Sequence, residues 1–415
     1  MRVVIVSAVF PPEPVVSAQT SFDIVQELIK NKNFVTVLTS FPNRPAGNLF
    51  SDYKRKLYSH KRDPSGFELI RCFHTLSTES SMSSRLAENI SFGITSSLAL
   101  LILPKPDIVY TNTWAIFAAI MLNFVCWLRQ IPVVNSIQDV YPESLISQKR
   151  LKETSLLIKV MKILDSVIAR NSNAIIVLSE QFKNIYELDR GISPDRIHII
   201  PNWSSLNFVD DSHGSSLLRK ELGIPSDSFL VVFGGNIGEG AGVEDVVESF
   251  RFLQEESIFL LIAGSGPNLA KCQRIATEFP KKKIFFISPW GVEDTAIVLG
   301  MANLLILPTR GLQSFVSVPS KLISYLFSGR PILALAQEES ELEIIVKSSN
   351  SGWVLAPDNP EKLATKMKEI MSFPPKTLAS CGLSGRNYAL KYLTRNESLT
   401  KIIQLLNQCA RKVRK

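Results

Sequence analysis

The sequence predicts an α/β protein made of two doubly wound domains, and three observations predict it. Short apolar, β-branched runs alternate with amphipathic helical stretches, as in βαβ units around a parallel sheet. The length of 415 residues exceeds what one hydrophobic core usually serves. In the second half, successive apolar runs end in loops rich in Gly, Pro or Trp, where open α/β sheets hold their ligands.

The first half opens with a strand at Val3–Val9 and an amphipathic helix at Ser21–Lys30, with Phe22, Val25, Leu28 and Ile29 on one side. Phe34–Thr39, Leu69–Phe73, Asp107–Tyr110, Pro132–Ile137 and Ala174–Leu178 read as further strands. Residues 44–66 are polar, basic and rich in Pro and Gly, and read as a long surface excursion. Trp114–Leu128 is almost uninterruptedly apolar but falls short of the ~20 residues that span a bilayer. It reads as a helix buried between a sheet and its neighbours.

In the second half, Phe229–Gly234, Phe259–Ala263, Lys283–Ile287, Leu304–Leu307 and Pro331–Ala334 read as strands. Glu244–Leu253, Asn268–Glu278, Val292–Met301 and Lys321–Ser328 read as the helices between them. Pro201-Asn202-Trp203 closes the first half and the polar stretch from Asn207 leads into the second. Domains are therefore expected at 1–203 and 204–387, with a C-terminal helix at 388–415 able to pack back on the first domain. Its apolar face is Leu393, Leu399, Ile402, Ile403 and Leu406. Its basic end, RKVRK, reads equally as a solvated tail or as a contact with anionic headgroups, at about 1 kcal/mol per charge.

Composition narrows the classes. At 45% hydrophobic and 20% charged residues the chain reads as soluble and globular. A net charge of +8 suits anionic ligands or an anionic membrane surface. No Lys/Arg stripe is interleaved with aromatics, which argues against nucleic acid. Five scattered cysteines without a CxxC pair fit free thiols in a reducing cytoplasm. The four histidines lack metal-ligand spacing, so no metal is expected. The opening MRVVIVSAVFPPEP carries an apolar run too short for a secretion signal.

The residues able to carry chemistry sit where strands end. The run to Phe233 enters GGNIGEGAG, where Gly235, Asn236 and Gly238 would let a backbone approach a ligand closely. Neither Lys nor Arg lies in that loop. The next strand enters Gly264-Ser265-Gly266-Pro267, and the one after it Ser288-Pro289-Trp290-Gly291. That last loop could grip a planar base; a loop anchor is the plainer role of Trp290. Pro308-Thr309-Arg310 leads to Val318-Pro319-Ser320-Lys321 and a helix ending at Gly329. Val318 and Ser320 offer N–H groups, Ser320 suits an N-cap, and Lys321 in the first turn suits a diphosphate. An ordinary loop–helix–strand connection is the alternative.

In the first domain, the loop after the first strand reaches Ser17 and Ala18, and Asn112 and Trp114 follow the Asp107–Tyr110 strand. In QDVYPES, Asp139 could orient or deprotonate a hydroxyl or cap a turn. Glu143 reads as a first-turn helix residue behind Pro142. Asn112 and Asp139 are the candidate catalytic residues.

The order PPEP, QDVYPES, IPNW, GGNIGEGAG, AGSGP, VPSK…SGRPILA and PDNPEKLA resembles the family-4 retaining glycosyltransferases of the GT-B fold. It looks closest to bacterial members that build capsule, O-antigen or exopolysaccharide units. The resemblance implies two Rossmann-like domains with an interdomain cleft, a nucleotide-sugar donor held by the second domain, and a lipid-linked or saccharide acceptor against the first. It implies transfer with retention, no metal or cofactor, and a cytoplasmic location, with peripheral contact at the inner membrane as an option. The Pro289–Trp290 loop would hold the base; Val318, Ser320 and Lys321 the ribose or diphosphate. Gly264 and Gly266 would line the donor pocket, and Asn112 would face the donor sugar and acceptor.

The chain also departs from the family pattern. An Arg and a Lys common in relatives read Asn236 and Ala241, two glutamates eight positions apart read Val316 and Ser324, and a Gly-Gly reads Val15-Val16. The charge of a departing diphosphate then falls to Lys321, Arg310 or backbone amides. The same departures keep open a non-catalytic nucleotide-sugar-binding homologue. A nucleotide-sugar 2-epimerase shares the architecture, but its acid/base histidines do not stand out.

Overall fold

Two sheets, parallel but for one edge strand of the first, organise the chain. The computed structural model describes residues 1–44, 47–76, 81–112, 116–147, 151, 153–204, 212–279, 283–289, 291, 294–311, 313–316 and 319–412. One unit comprises Met1–Ile146, Leu151–Ser205 and Arg395–Lys415; the other comprises Leu206–Thr394 with Ser147–Arg150.

The first unit holds β1 (Arg2–Ser7), β2 (Phe34–Ser40), β3 (Tyr58–Arg62), β4 (Glu68–Cys72), β5 (Ile108–Asn112), β6 (Val133–Ser136), β7 (Ala174–Val177) and β8 (Ile197–Ile199). Among the described residues they order as β3-β4-β2-β1-β5-β6-β7-β8. The chain direction across the sheet reverses between β1 and β5, a topological switch point. Helices cover both faces: α1 (Val16–Lys30), α2 (Met82–Ile102), α3 (Ile116–Leu128), the short α4 (Glu143–Ser147) and α5 (Leu156–Asn171). Strand alternation sorts them. Val3 and Ile5 pack with Ile24, Val25 and Leu28 of α1, whereas Val4 and Val6 pack with Phe92 of α2 and Leu122 of α3.

Two expectations change here. The stretch 44–66 is not all excursion, because β3 pairs antiparallel with β4. Tyr-Ser-His-Lys-Arg is an edge strand whose side chains are mostly exposed, so it shows no apolar run to read. The apolar helix α3 is buried on one side only: Leu122 and Cys126 are in the core, while Phe124, Trp127 and Leu128 are exposed.

The second unit holds β9 (Phe229–Gly234), β10 (Ile258–Ala263), β11 (Ile284–Ile287), β12 (Leu304–Pro308), β13 (Ile332–Leu335) and β14 (Gly352–Leu355). They order as β11-β10-β9-β12-β13-β14, with every pairing parallel. The switch point lies between β9 and β12. Helices that bear on the site are α6 (Val243–Ser249), α7 (Leu269–Thr277) and α8 (Ser320–Ser328), followed by α9 (Pro375–Tyr392) and α10 (Arg395–Lys412).

The single terminal helix expected from 388 is therefore two. Leu393 leaves helical dihedrals and packs in the second unit's core, while Leu399, Ile402 and Leu406 of α10 pack in the first unit's core. The break lets one amphipathic run serve two cores.

Candidate functional site

The second unit's switch point is shaped by two residues of α8. Tyr325 is fully buried; its Oη accepts the Gly234 N–H at 2.8 Å and can donate to the Gly234 carbonyl at 3.3 Å. Lys321 lies four residues earlier and so projects from the same helix face toward the end of β9. Its Nζ sits 5.3 Å from the centre of the Phe233 ring, at cation–π range. A Cβ at Gly235 would fall 2.2 Å from Lys321 Cε, and Gly235 has φ +139°. Glycine at 235 is what gives the lysine its place.

Lys321 is half-buried, and burial pushes its ammonium from the ordinary 10.5 down to about 8. No carboxylate of the described residues offsets that cost. Such a cation gains most from an anion brought to it. Ser320 does not cap the helix: it is exposed, it is the first residue of α8, and Pro319 takes the cap position without a side-chain bond. A helix cap needs extended dihedrals, and here Pro319 adopts them (φ −61°, ψ 120°). Gly329 ends α8 in the left-handed conformation, as its position predicts.

The glycines of the neighbouring loops serve each other. A Cβ at Gly264 would lie 1.9 Å from the Gly235 carbonyl, and one at Gly266 would lie 2.4 Å from the Ile237 carbonyl. Gly235 N–H donates to Ala263 at 2.8 Å, Ile237 N–H to Ser265 at 2.9 Å, and Gly264 N–H to Ile287 at 2.9 Å. Gly264 and Gly266 thus zip the loops after β9, β10 and β11 into one rigid layer. Their close approach is to backbone. Asn236 and Pro289 are exposed in this layer, and Gly238 packs beside the Asn236 amide, with 3.1 Å left for a Cβ. Ser324 is half-buried on α8. Trp290 and Val318 lie outside the described residues.

Arg310 is a different kind of cation. It donates to Asp245 at 2.9 Å and lies 3.8 Å from Glu244 and 4.0 Å from Asp358. Its charge is already matched within the unit, so it is no idle reserve for a diphosphate.

At the first unit's switch point, Asn112 ends β5 in register with Ser7. Its Nδ2 donates to Ser21 Oγ at 2.9 Å, and Ser21 Oγ can donate to the Ser17 carbonyl at 2.9 Å. The Asn112 Oδ1 is buried and, among the described residues, has no hydrogen-bond partner. Ser17 and Ala18 are not in a loop: α1 begins at Val16, five residues before the expected start, and Ala18 is fully buried. The polar Gln19, Thr20 and Ser21 had masked this first turn, yet Thr20 and Ser21 bond back to the Val16 and Ser17 carbonyls.

Asp139 is half-buried beside a cavity of 30 Å³ lined also by Gln138, Tyr141 and Asp165. Glu143 starts α4, as expected, and is gripped by Arg190 at 2.8 Å through both oxygens. Arg190 also donates to Asp165 at 2.9 Å and to the Tyr141 carbonyl at 3.2 Å, and Tyr186 donates to Asp165 at 3.0 Å. Burial pushes the Asp165 carboxyl up to about 6 despite Arg190. This buried cluster anchors the loop that carries Asp139.

The sequence reading passed over Tyr325 and Arg190. Tyr325 had a signal in its spacing of four from Lys321. Arg190 had none, because its partners lie 25 and 47 residues away. Among the described residues, no three His, Cys, Asp or Glu side chains gather as a metal site.

Comparisons with known proteins agree with this architecture. The family described as Glycosyltransferase Family 4 matches residues 18–207, and that described as Glycosyl transferases group 1 matches residues 215–388. The chain is built from two glycosyltransferase domains. An Escherichia coli (strain K12) protein named as a colanic acid biosynthesis glycosyl transferase, WcaI, is 22% identical over 97% of this glycosyltransferase and 99% of its own length. Sucrose-phosphate synthase of Thermosynechococcus elongatus superposes with a TM-score of 0.75 at 17% identity, covering 98% of this chain and 99% of the other. HepE of Anabaena, solved with UDP-glucose, superposes with a TM-score of 0.70 at 13% identity, covering 98% and 100%. In this glycosyltransferase the first family description spans the unit of Asn112 and Asp139, and the second spans that of Lys321.

Proposed function

We propose that the protein transfers a sugar from a nucleotide-sugar donor to a lipid-linked or saccharide acceptor, with retention, in surface polysaccharide assembly. The observation that carries this reading is Lys321, a desolvated cation without a carboxylate partner among the described residues, aimed at the end of β9 beside Gly235. A diphosphate there meets one full positive charge and the N–H groups of the first turn of α8. As the donor bond breaks, negative charge builds on the leaving diphosphate, and a preorganised ammonium stabilises it more than the ground state. In the other unit, the unpartnered Asn112 Oδ1 can accept from a sugar hydroxyl, and Asp139 can orient an acceptor hydroxyl. The names of the relatives, one in colanic acid biosynthesis and one solved with UDP-glucose, support the donor class and the pathway. Neutralisation by protein groups requires no metal.

The test is calorimetric titration of the full chain with a panel of nucleotide sugars, alongside slow donor hydrolysis and transfer to membrane-extract acceptors. Binding with turnover that persists in chelator is expected. Binding without turnover on any acceptor would favour the non-catalytic homologue that the replacements at Asn236, Ala241, Val316 and Ser324 suggest. No binding by any nucleotide sugar would overturn the reading.

A further inference from the structure

The second unit holds a cavity of 390 Å³ at the end of its sheet opposite Lys321. Asn303, just before β12, and Arg330, just before β13, line it together with Gly329 at the end of α8 and one side of α9. Two glycines bring α9 against that helix end. A Cβ at Gly382 would lie 2.0 Å from the Gly329 carbonyl oxygen, and one at Gly385 would lie 2.8 Å from Ser351 Cβ. The close approach sets Arg386 beside Gly329, with its Cδ 3.5 Å from where a Cβ would stand. Arg386 thus shares a wall with Arg330.

The charges of the wall are of one sign. The stretches that supply it, 295–303, 328–331 and 375–386, contain no Asp or Glu. Carboxylates beyond them act on other groups: Asp294 accepts the Gly291 N–H at 3.3 Å, Asp227 acts on Arg219, and Glu341 acts on Tyr388. The two arginines differ. Arg386 is engaged within the protein, and beside Gly329 it offsets the negative end of the α8 dipole. Arg330 is half-buried and, among the described residues, forms no hydrogen bond or ion pair. A guanidinium that has lost part of its hydration regains it best from an anion. Asn303 adds a donor: its Oδ1 accepts the Leu230 N–H at 2.8 Å, which leaves Nδ2 for the cavity. The first turn of α9 lines the cavity through Leu378, with no acidic residue and no side-chain cap, so the positive end of its dipole adds to the arginines. Pro331 and Leu383 give the wall an apolar side.

We propose that this cavity binds a small phosphate monoester, with its phosphate on Arg330 and the Asn303 amide and its organic body against Pro331 and Leu383. A guanidinium fork matches phosphate oxygens two at a time, and the volume suits a compact organic ligand. The site is separate from the donor site, because Lys321 stands at the other end of α8, about 12 Å of helix away. It lies wholly within the second unit and does not depend on the donor reading.

The test is calorimetric titration of the full chain with phenyl phosphate, inorganic phosphate and phenol. Phenyl phosphate should bind, inorganic phosphate less tightly, and phenol not measurably. Arg330→Gln should lower phenyl phosphate affinity about tenfold or more. Leu383→Glu should do the same by setting a carboxylate on the wall, and its position, 59% exposed, spares the fold. Both variants should keep wild-type affinity for nucleotide sugar, and Lys321→Ala should keep wild-type affinity for phenyl phosphate. Failure here is therefore distinct from failure of the donor reading. Undiminished phenyl phosphate binding in Arg330→Gln, its loss in Lys321→Ala, or equal binding of phenol would each overturn the proposal. So would the absence of binding by both phosphate probes.

Discussion

Two desolvated cations, one in each unit, show opposite solutions to the same problem. Burial pulls both Arg190 and Lys321 toward neutrality. Around Arg190 the carboxylates of Glu143 and Asp165 more than reverse the effect, and its guanidinium ends above its ordinary value. Around Lys321 nothing reverses it, and the ammonium stands near 8. A buried cation with two partners is a fastener: it holds the QDVYPE loop and has no capacity left for a ligand. A cation held over an aromatic ring without a partner is poorly matched until an anion arrives. Arg310, half-exposed and paired, belongs with the fasteners although its place after β12 resembles a ligand position.

Four experiments would break or sharpen that contrast. The largest effect is expected for Arg190→Ala, which leaves the buried Asp165 without its cation and the half-buried Glu143 with Lys162 alone. Stability should fall by about 3–5 kcal/mol in urea titration, with donor affinity per folded molecule unchanged. Lys321→Ala should do the reverse. Donor affinity should fall by about 1.5–3 kcal/mol by calorimetry if the ammonium meets the diphosphate, and stability should not suffer; unchanged affinity would move the phosphate site elsewhere.

Lys321→Met tests the desolvation itself. The folded pKa lies below the unfolded value, so folding is penalised fully at pH below about 8, and the penalty fades as pH rises toward 10.5. The methionine variant should therefore be more stable than wild type at neutral pH by about 1–3 kcal/mol. The gap should close between those pH values; a constant gap would mean that packing, not charge, sets it. The smallest effect is expected for Arg310→Ala. A half-exposed pair contributes at most about 1 kcal/mol of stability, and donor affinity should stay within about threefold of wild type. A large affinity loss would return Arg310 to the donor site.

Legibility differed between the two kinds of feature in the same places. Five strands of the second unit, β9 to β13, were readable nearly to the residue, because each is an apolar run, as at Phe229–Gly234 and Ile332–Leu335, whereas the half-buried β14, Gly352–Leu355, was not read. The edge strand Tyr58–Arg62 and the first turn of α1 were not, because their polar side chains break the apolar pattern. Lys321 was legible as a site residue from its place at a helix start. Its Phe233 bed and the Tyr325 clamp were not, since both contacts cross about ninety residues of sequence. The glycines at 264 and 266 were legible as necessary, but the reason for them is the neighbouring backbone.

By itself the sequence determined the two doubly wound units, the strand ends where ligands are expected, and the short list that includes Lys321, Asn112 and Asp139. Those follow from periodicity and punctuation, which are local properties of a chain. Only the tertiary structure decided which polar groups are matched. It paired Arg310 with Asp245 and Glu143 with Arg190, left Lys321 and the Asn112 oxygen unmatched among the described residues, and turned Phe124 and Trp127 of an apolar helix outward. Pairing and desolvation depend on what distant segments bring alongside a group, and no local pattern encodes that.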